Sequence, residues 1–464
     1  MDELSTEEKE LLILIKTKPD LQPLFFREAK GLKWFHPLQK EGYFNPENLP
    51  PPKKRGEYIT IPLWDIVNYL ANVAPELNSL DSKESKTYHK EFLFIVENVT
   101  EHSKKNGISN YQVWWRFAEI LFYVSHNTMS DKTMDAVDYW LEDKYDTDLV
   151  AQTIGEKLLP KLISKQDKDA AYIASELLSK LFKVSFKPHP YTFKKKWEKA
   201  HLRFNDYWAK RIIEVLALRV GKCLRRKGVT IFHNELTRVL KKLKKDSYSS
   251  VWQPAIENHD QNSLHDDAEN LLVLAYRDSL AGFIQSSHNE AKEYLCEMLR
   301  SEYQTIQRIA IYHIGKNRGL YENLWDSIID EKFFQENLRH ETWQFLNLNY
   351  QSFSNEQKKN TLDIIRKKTR KDENGNMLKE VSAYTRSNWL AAIKDYGEDE
   401  KILHQREVET AGGESEHPSF SSYMTNGKAE IVRPSSPYTV KELNEMEISD
   451  LIVLHVTPAL KALK

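Results

Sequence analysis

The spacing of apolar residues leaves this chain few folds to choose from. Side chains recur at i, i+3 and i+4 through Ile66, Val67, Tyr69, Leu70 and Val73, then Phe92, Ile95, Val96 and Val99, then Val113, Trp114, Phe117, Ile120, Leu121 and Val124. The period continues in Ile173, Leu177, Leu178 and Leu181, in Ile212, Val215, Leu216 and Val220, and in Leu271, Leu272, Leu274, Ala275 and Phe283. Tyr294, Leu295, Met298 and Leu299 follow, then Ile306, Ile309, Ala310 and Ile314, and last Leu362, Ile364 and Ile365. Such a period draws one apolar stripe along an α-helix, whereas a strand alternates every second residue. Alternation of period two is nearly absent, so the expected class is all-α. Helices in series, joined by short polar turns, cover one another's stripes by stacking pair upon pair. The spacing therefore predicts an α-solenoid-like stack of degenerate HEAT-like pairs, clearest between Ser247 and Arg370, where pairs recur roughly every 35 to 45 residues. A compact helical bundle with an added domain is the alternative.

Composition narrows this further. The chain holds only 15 glycines in 464 residues, about half the usual share. Glycine supplies tight turns and positive-φ positions, so a many-turned β-protein and a glycine-rich phosphate loop are both disfavoured. Hydrophobic residues at 40% are too many for general disorder, and charged residues at 29% too many for a membrane protein. A formal net charge of −1 sets up no global field for nucleic acid or an anionic bilayer. No apolar run approaches the roughly 18 residues that span a membrane, and Asp2 and Glu3 stand where a signal peptide is basic. A cytoplasmic protein with no membrane partner is expected. Two isolated cysteines, Cys223 and Cys296, make neither a disulfide framework nor a zinc site and read as buried thiols.

Punctuation along the chain suggests its divisions. Ser5 and Glu8 form a capping box ahead of the apolar side Leu11, Leu12, Leu14 and Ile15, and Pro50, Pro51 and Pro52 then mark an extended, solvated loop. Residues 1–62 are read as an N-terminal helical segment with that loop, 63–245 as a helical region with a basic stretch, and 246–395 as HEAT-like pairs. Gly412-Gly413, Pro418, Gly427 and Pro434-Ser435-Ser436-Pro437 make 396–438 a linker or docking loop, and Thr439 with Glu442 starts a C-terminal helix over 439–464.

The clusters that could carry chemistry each have a plainer explanation. Gly315-Lys316 resembles a phosphate loop, but Ala310 and Asn317 occupy the positions where a glycine and a Ser or Thr are needed. A C-capping glycine with a lysine at the negative end of the dipole fits better. His340-Glu341 begins like a zinc-protease helix, yet Gln344 is a poor ligand where the second histidine should stand, so the pair is expected to face water or cap a neighbour. His259, Asp260, His265, Asp266 and Asp267 could hold a metal for a hydrolase built over 259–269. Their place before a helix starting near Ala268 instead suits carboxylates favouring its dipole. No catalytic residue, cofactor or metal is expected.

The strongest local bias is basic. Lys194, Lys195 and Lys196 lie among Phe193, Trp197, Phe204 and Trp208, and Arg225, Arg226, Lys241, Lys242, Lys244 and Lys245 follow with few acids between them. Cations neutralise phosphates and aromatic rings stack on bases, so these nine residues are candidate nucleic-acid contacts. A solvated face balanced by acids from elsewhere is the competing reading. Trp34, Trp64, Trp114 and Trp115 read as packing at helix interfaces.

Three stretches carry a family likeness: Trp34-Phe35-His36-Pro37-Leu38 with Gly42-Tyr43-Phe44 and Trp64; Trp252-Gln253-Pro254-Ala255-Ile256-Glu257 with Arg277-Asp278 and Arg308-Ile309-Ala310; and His417-Pro418-Ser419-Phe420 with Ser436-Pro437. Together they resemble the helical-repeat portions of large bacterial multidomain proteins, including antiviral-defence proteins with a separate effector or ATPase domain. The resemblance implies a sensing or scaffolding part to which no catalytic residue carries over. The expected function is a non-catalytic scaffold, sensor or adaptor that holds another protein. Nucleic-acid binding through 193–245 and a metal-dependent hydrolase are the alternatives.

Overall fold

The structure, a computed structural model, describes residues 4–80, 82–165, 167–188, 198–262 and 267–424. Met1–Ser422 form one compact unit. The fold is all-α, as the periodicity requires, with two small two-stranded sheets among the described residues. The helices of eight or more residues are α1 (Thr6–Thr17), α2 (Ile66–Val73), α3 (Ser82–Asn106), α4 (Tyr111–Tyr123), α5 (Asp131–Trp140), α6 (Lys168–Leu181) and α7 (Asp206–Leu243). They continue as α8 (Ala268–Ser286), α9 (His288–Leu299), α10 (Gln304–Lys316), α11 (Arg339–Asn349), α12 (Asn355–Arg366), α13 (Lys379–Leu390) and α14 (Glu398–Ala411).

Local signals set the helix ends. Ser5 Oγ accepts the Glu8 N–H at 3.2 Å and the Glu8 carboxylate accepts the Ser5 N–H at 2.9 Å, closing the box expected at the start of α1. The stripe behind it departs from expectation: Ile15 is buried, but Leu11 and Leu14 stay exposed. In the first half of the chain the stripes of α3, α4 and α5 meet around large rings. Trp114 and Trp140 are fully buried and stacked at 6.2 Å. Each indole N–H finds an acceptor, Asp143 for Trp114 and Thr100 for Trp140, which removes the cost of burying it.

The centre of the unit is the packing of α7 on α8. Two glycines allow it. A Cβ on Gly221 would lie 1.7 Å from the Ser279 carbonyl oxygen, and one on Gly282 would lie 2.0 Å from that of Leu218. Backbone thus meets backbone in both directions. Just past this crossing α7 breaks at Arg225 (φ 49°, ψ −136°), a conformation that side chains other than glycine rarely adopt.

Three segments correct the sequence-based expectations. After the prolines, β1 (Lys53–Arg55) and β2 (Tyr58–Thr60) pair as a hairpin around Gly56, whose φ of +62° makes the turn. A second hairpin, β3 (Ser185–Pro188) with β4 (Glu198–His201), interrupts the region expected to be wholly helical. Within the expected linker, Glu398–Ala411 is helix α14. Its first turn carries Glu398, Asp399 and Glu400, which favour the positive end of the dipole, and Gly412 in the left-handed region ends it. The expected helix over 439–464 lies outside the described residues.

Candidate functional site

The Trp252–Glu257 stretch, Arg277 and Arg308 are far apart in sequence and meet in space. Arg308 on α10 and Glu341 on α11 are 0% and 1% exposed. Glu341 Oε2 accepts Arg308 Nε at 2.7 Å, and Oε1 accepts Nη2 at 2.9 Å. Oε1 also accepts the Ile256 N–H at 3.0 Å, while Arg308 Nη2 donates to the Pro254 carbonyl at 3.0 Å. From α8, Arg277 Nη1 donates to the Ile256 carbonyl and to Asn258 Oδ1, and its Nε to Asp278. Buried charges are tolerable only when paired and hydrogen-bonded, and here the pairing is what pins an irregular loop to three helices. These groups position backbone.

His313 belongs to the same layer. Its Nε2 lies 3.0 Å from the Arg277 carbonyl, and burial pushes its pKa down to about 3. The imidazole is therefore neutral and donates to that carbonyl. In the unfolded chain it takes up a proton near its ordinary value of 6.5. The stability it contributes is thus complete above that pH and falls as the pH drops from about 6.5 toward 3. Urea midpoints of the wild type are expected to fall between about pH 7.5 and about pH 5, with a smaller fall in His313→Gln. Equal falls in the two proteins would contradict the assignment.

Of the two expectations for His340 and Glu341, facing water or capping a neighbour, the first fails: both are buried, and Glu341 accepts the Ile256 N–H of the neighbouring loop. His340 Nε2 lies 3.4 Å from Glu257, whose carboxyl is held below the usual carboxylate range chiefly by that hydrogen bond. The ring of His340 stacks on Phe420 at 4.2 Å, and Arg339 donates to the Phe420 carbonyl, so the His417–Phe420 stretch is brought against the second stretch. Beside the loop runs a cleft of about 320 Å³ lined by Lys210, Glu214, Asn258, His259, Arg277 and Asp278. Of the His259–Asp267 cluster, His265 and Asp266 lie outside the described residues. Asp267 stands at the N-cap of α8 but makes no capping bond; its carboxylate meets Lys199 at 2.5 Å. No group of three or more metal-ligating side chains occurs among the described residues.

The basic segment is partly neutralised by its neighbours. Arg226 pairs with Glu297 at 2.6 Å, Lys242 with Glu198 at 2.9 Å, and Lys245 with the buried Glu269. Arg225, Lys241 and Lys244 are exposed with no ion pair among the described residues, Arg225 at the break of α7 and Lys244 in the left-handed C-cap. Lys194, Lys195 and Lys196 lie outside the described residues. Gly315 is not the expected C-cap: it sits inside α10, where a Cβ would lie 3.4 Å from Phe345 Cα, so it serves close approach to α11. The cysteines also differ from expectation, Cys223 being exposed and Cys296 half-buried.

One feature that the sequence reading did not single out is an exposed apolar run entering α13. Met377 (61% exposed) and the N-cap Leu378 directly precede the helix, Val381 and Tyr384 follow on it, and all four are exposed, while Ala383, Trp389 and Leu390 are buried. Lys371, bridged to Met377, and Lys379 neighbour this run together with the exposed Glu373 and Glu380, and neither lysine makes an ion pair among the described residues. The periodic signal is present in the sequence, but it gives no sign of whether a stripe meets core or solvent.

No family model, curated protein or solved structure matches this chain. No described helix is long and apolar enough to cross a membrane.

Proposed function

We propose that the chain is a non-catalytic interaction protein, a scaffold, sensor or adaptor that holds a partner protein against the outer face of α13. The observation that carries this reading is the exposed run Met377, Leu378, Val381 and Tyr384. Contiguous apolar surface costs free energy in water and marks sites that a partner covers. The clustered Arg277, Arg308 and Glu341 support the same reading, because their polar atoms hold the backbone of the loop at 252–258.

The proposal includes the architecture. Consecutive packing of α8 on α9, α9 on α10 and α10 on α11 supports a HEAT-like stack over 246–395 that presents an extended surface. The resemblance to helical-repeat portions of antiviral-defence proteins supports a sensor or adaptor in that setting. Nucleic-acid binding through the basic segment is the second reading, weakened by the acids that pair with Arg226, Lys242 and Lys245.

Parallel capture from cells of the native host, with wild type and with Val381→Asp/Tyr384→Asp, tests the first reading. Both side chains are exposed, so the variant is expected to keep its melting temperature while losing a protein that the wild type retains reproducibly. The same proteins on both baits, or none on the wild type, would count against it.

A further inference from the structure

Every residue of the hairpin β1–β2, from Lys53 to Thr60, is exposed. A two-stranded ribbon with neither face covered is marginally stable in water, so something must hold it. Its two legs are tied down at one place. Asn110 Nδ2 donates to the Pro62 carbonyl at 2.9 Å on one leg and to the Pro50 carbonyl at 3.4 Å on the other. Gln112 Nε2 adds a bond to the Ile61 carbonyl at 3.2 Å. Asn110 is fully buried and also caps α4 through the Val113 N–H. The ribbon is therefore fixed at its base on a buried helix and free along its length.

Its side chains are unusual for a solvated turn. Strand alternation puts Lys53 and Arg55 on one face and Lys54 on the other. None of the three makes an ion pair among the described residues, and Glu57 is the sole acid in the hairpin. Tyr58, paired across from Arg55, is 79% exposed, and Ile59, across from Lys54, is also exposed. Both apolar groups are thus held in water beside cations.

We propose that this hairpin is an arm that enters a groove of duplex nucleic acid. Two strands about 5 Å apart, with side chains added, match a major groove ~12 Å wide. Cations on both faces suit a groove, which has a phosphate wall on either side, whereas a flat bilayer or protein surface meets one face only. Tyr58 and Ile59 then gain contact with sugar and base edges. The inference is independent of the α13 surface and of the basic segment in α7.

Anisotropy titrations of the full chain against a short labelled DNA duplex, the matching single strand, and vesicles of phosphatidylserine and phosphatidylcholine test it. The wild type is expected to bind the duplex in preference to the single strand and the vesicles. Lys53→Glu/Lys54→Glu/Arg55→Glu is expected to weaken duplex binding at least about tenfold. The slope of log affinity against log salt should flatten by roughly 0.9 for each phosphate that the variant no longer neutralises. Its melting temperature should match that of the wild type, and Lys53→Arg/Lys54→Arg/Arg55→Lys should keep the affinity. The proposal is overturned if the wild type leaves the duplex unbound or if the Glu variant binds it equally well. Preference for vesicles or single strand would overturn it too.

Discussion

Gly221→Ala and Gly282→Ala are each expected to destabilise the fold by on the order of 4 kcal/mol, near the upper end of single-residue effects. The added methyl at position 221 would lie 1.7 Å from the Ser279 carbonyl oxygen and 2.7 Å from the Phe283 nitrogen. At position 282 it would lie 2.0 Å from the Leu218 carbonyl oxygen. A flexible side chain could swing aside, but backbone inside a helix cannot, so α7 and α8 must separate where they cross. Both helices are buried along most of this crossing, and their separation opens voids that the neighbouring side chains cannot fill. Gly413→Ala is the control: nothing lies within 4 Å of its added methyl and its φ is not positive, so its effect is expected within about 0.5 kcal/mol. Urea denaturation of the three variants checks this. A loss at either crossing glycine no larger than at Gly413 would contradict the close approach.

Arg308→Met is the second large effect, expected to cost about 3–5 kcal/mol by leaving the Glu341 carboxylate buried without its cation. Glu341→Met strands the guanidinium in the same way and frees the Ile256 N–H. The double variant removes both charges together, and its loss is expected to be smaller than that of either single change. The Pro254 carbonyl and Ile256 N–H still lose their partners in it, at roughly 1 kcal/mol each, so recovery is partial. A double-mutant cycle in urea reads the coupling directly. Additive losses would mean that the two charges do not depend on one another.

How much of this can be read from sequence depends on the range of the interaction that decides each feature. Helices α3, α4, α6, α8 and α10 are legible because one stripe of apolar residues defines each, and their burial follows. The capping box at Ser5 and Glu8 is legible for the same reason, since its partners lie three residues apart. Helix α14 is not: its single buried residue is His404, so no stripe announces it, although three acids in the first turn and Gly412 at its end are visible. The hairpin at Lys53–Thr60 escapes because all its residues are exposed, leaving no alternation to detect.

The loop at 252–258 stands out as a pattern, but Glu341, which holds it, lies 85 residues from Ile256 in sequence. One clue is available: Arg308 stands among Ile306, Ile309 and Ala310, and a charge within an apolar stripe must find a buried partner. Gly221 and Gly282 offer a similar clue, each an interruption in an otherwise good helix pattern that close backbone approach explains. The outward-facing stripe of α13 differs in kind. Its period is that of a core helix, and tertiary packing alone decides that it meets water.

Photo-crosslinking from position 381 bears most directly on whether the chain works by holding a partner there. With a benzophenone side chain replacing Val381, irradiation in the native host is expected to join the chain to one recurring protein through an apolar segment. The same group placed at the exposed Ile402 on α14 should not capture it. Equal yields from both positions, or no adduct from position 381, would contradict an interaction face on α13.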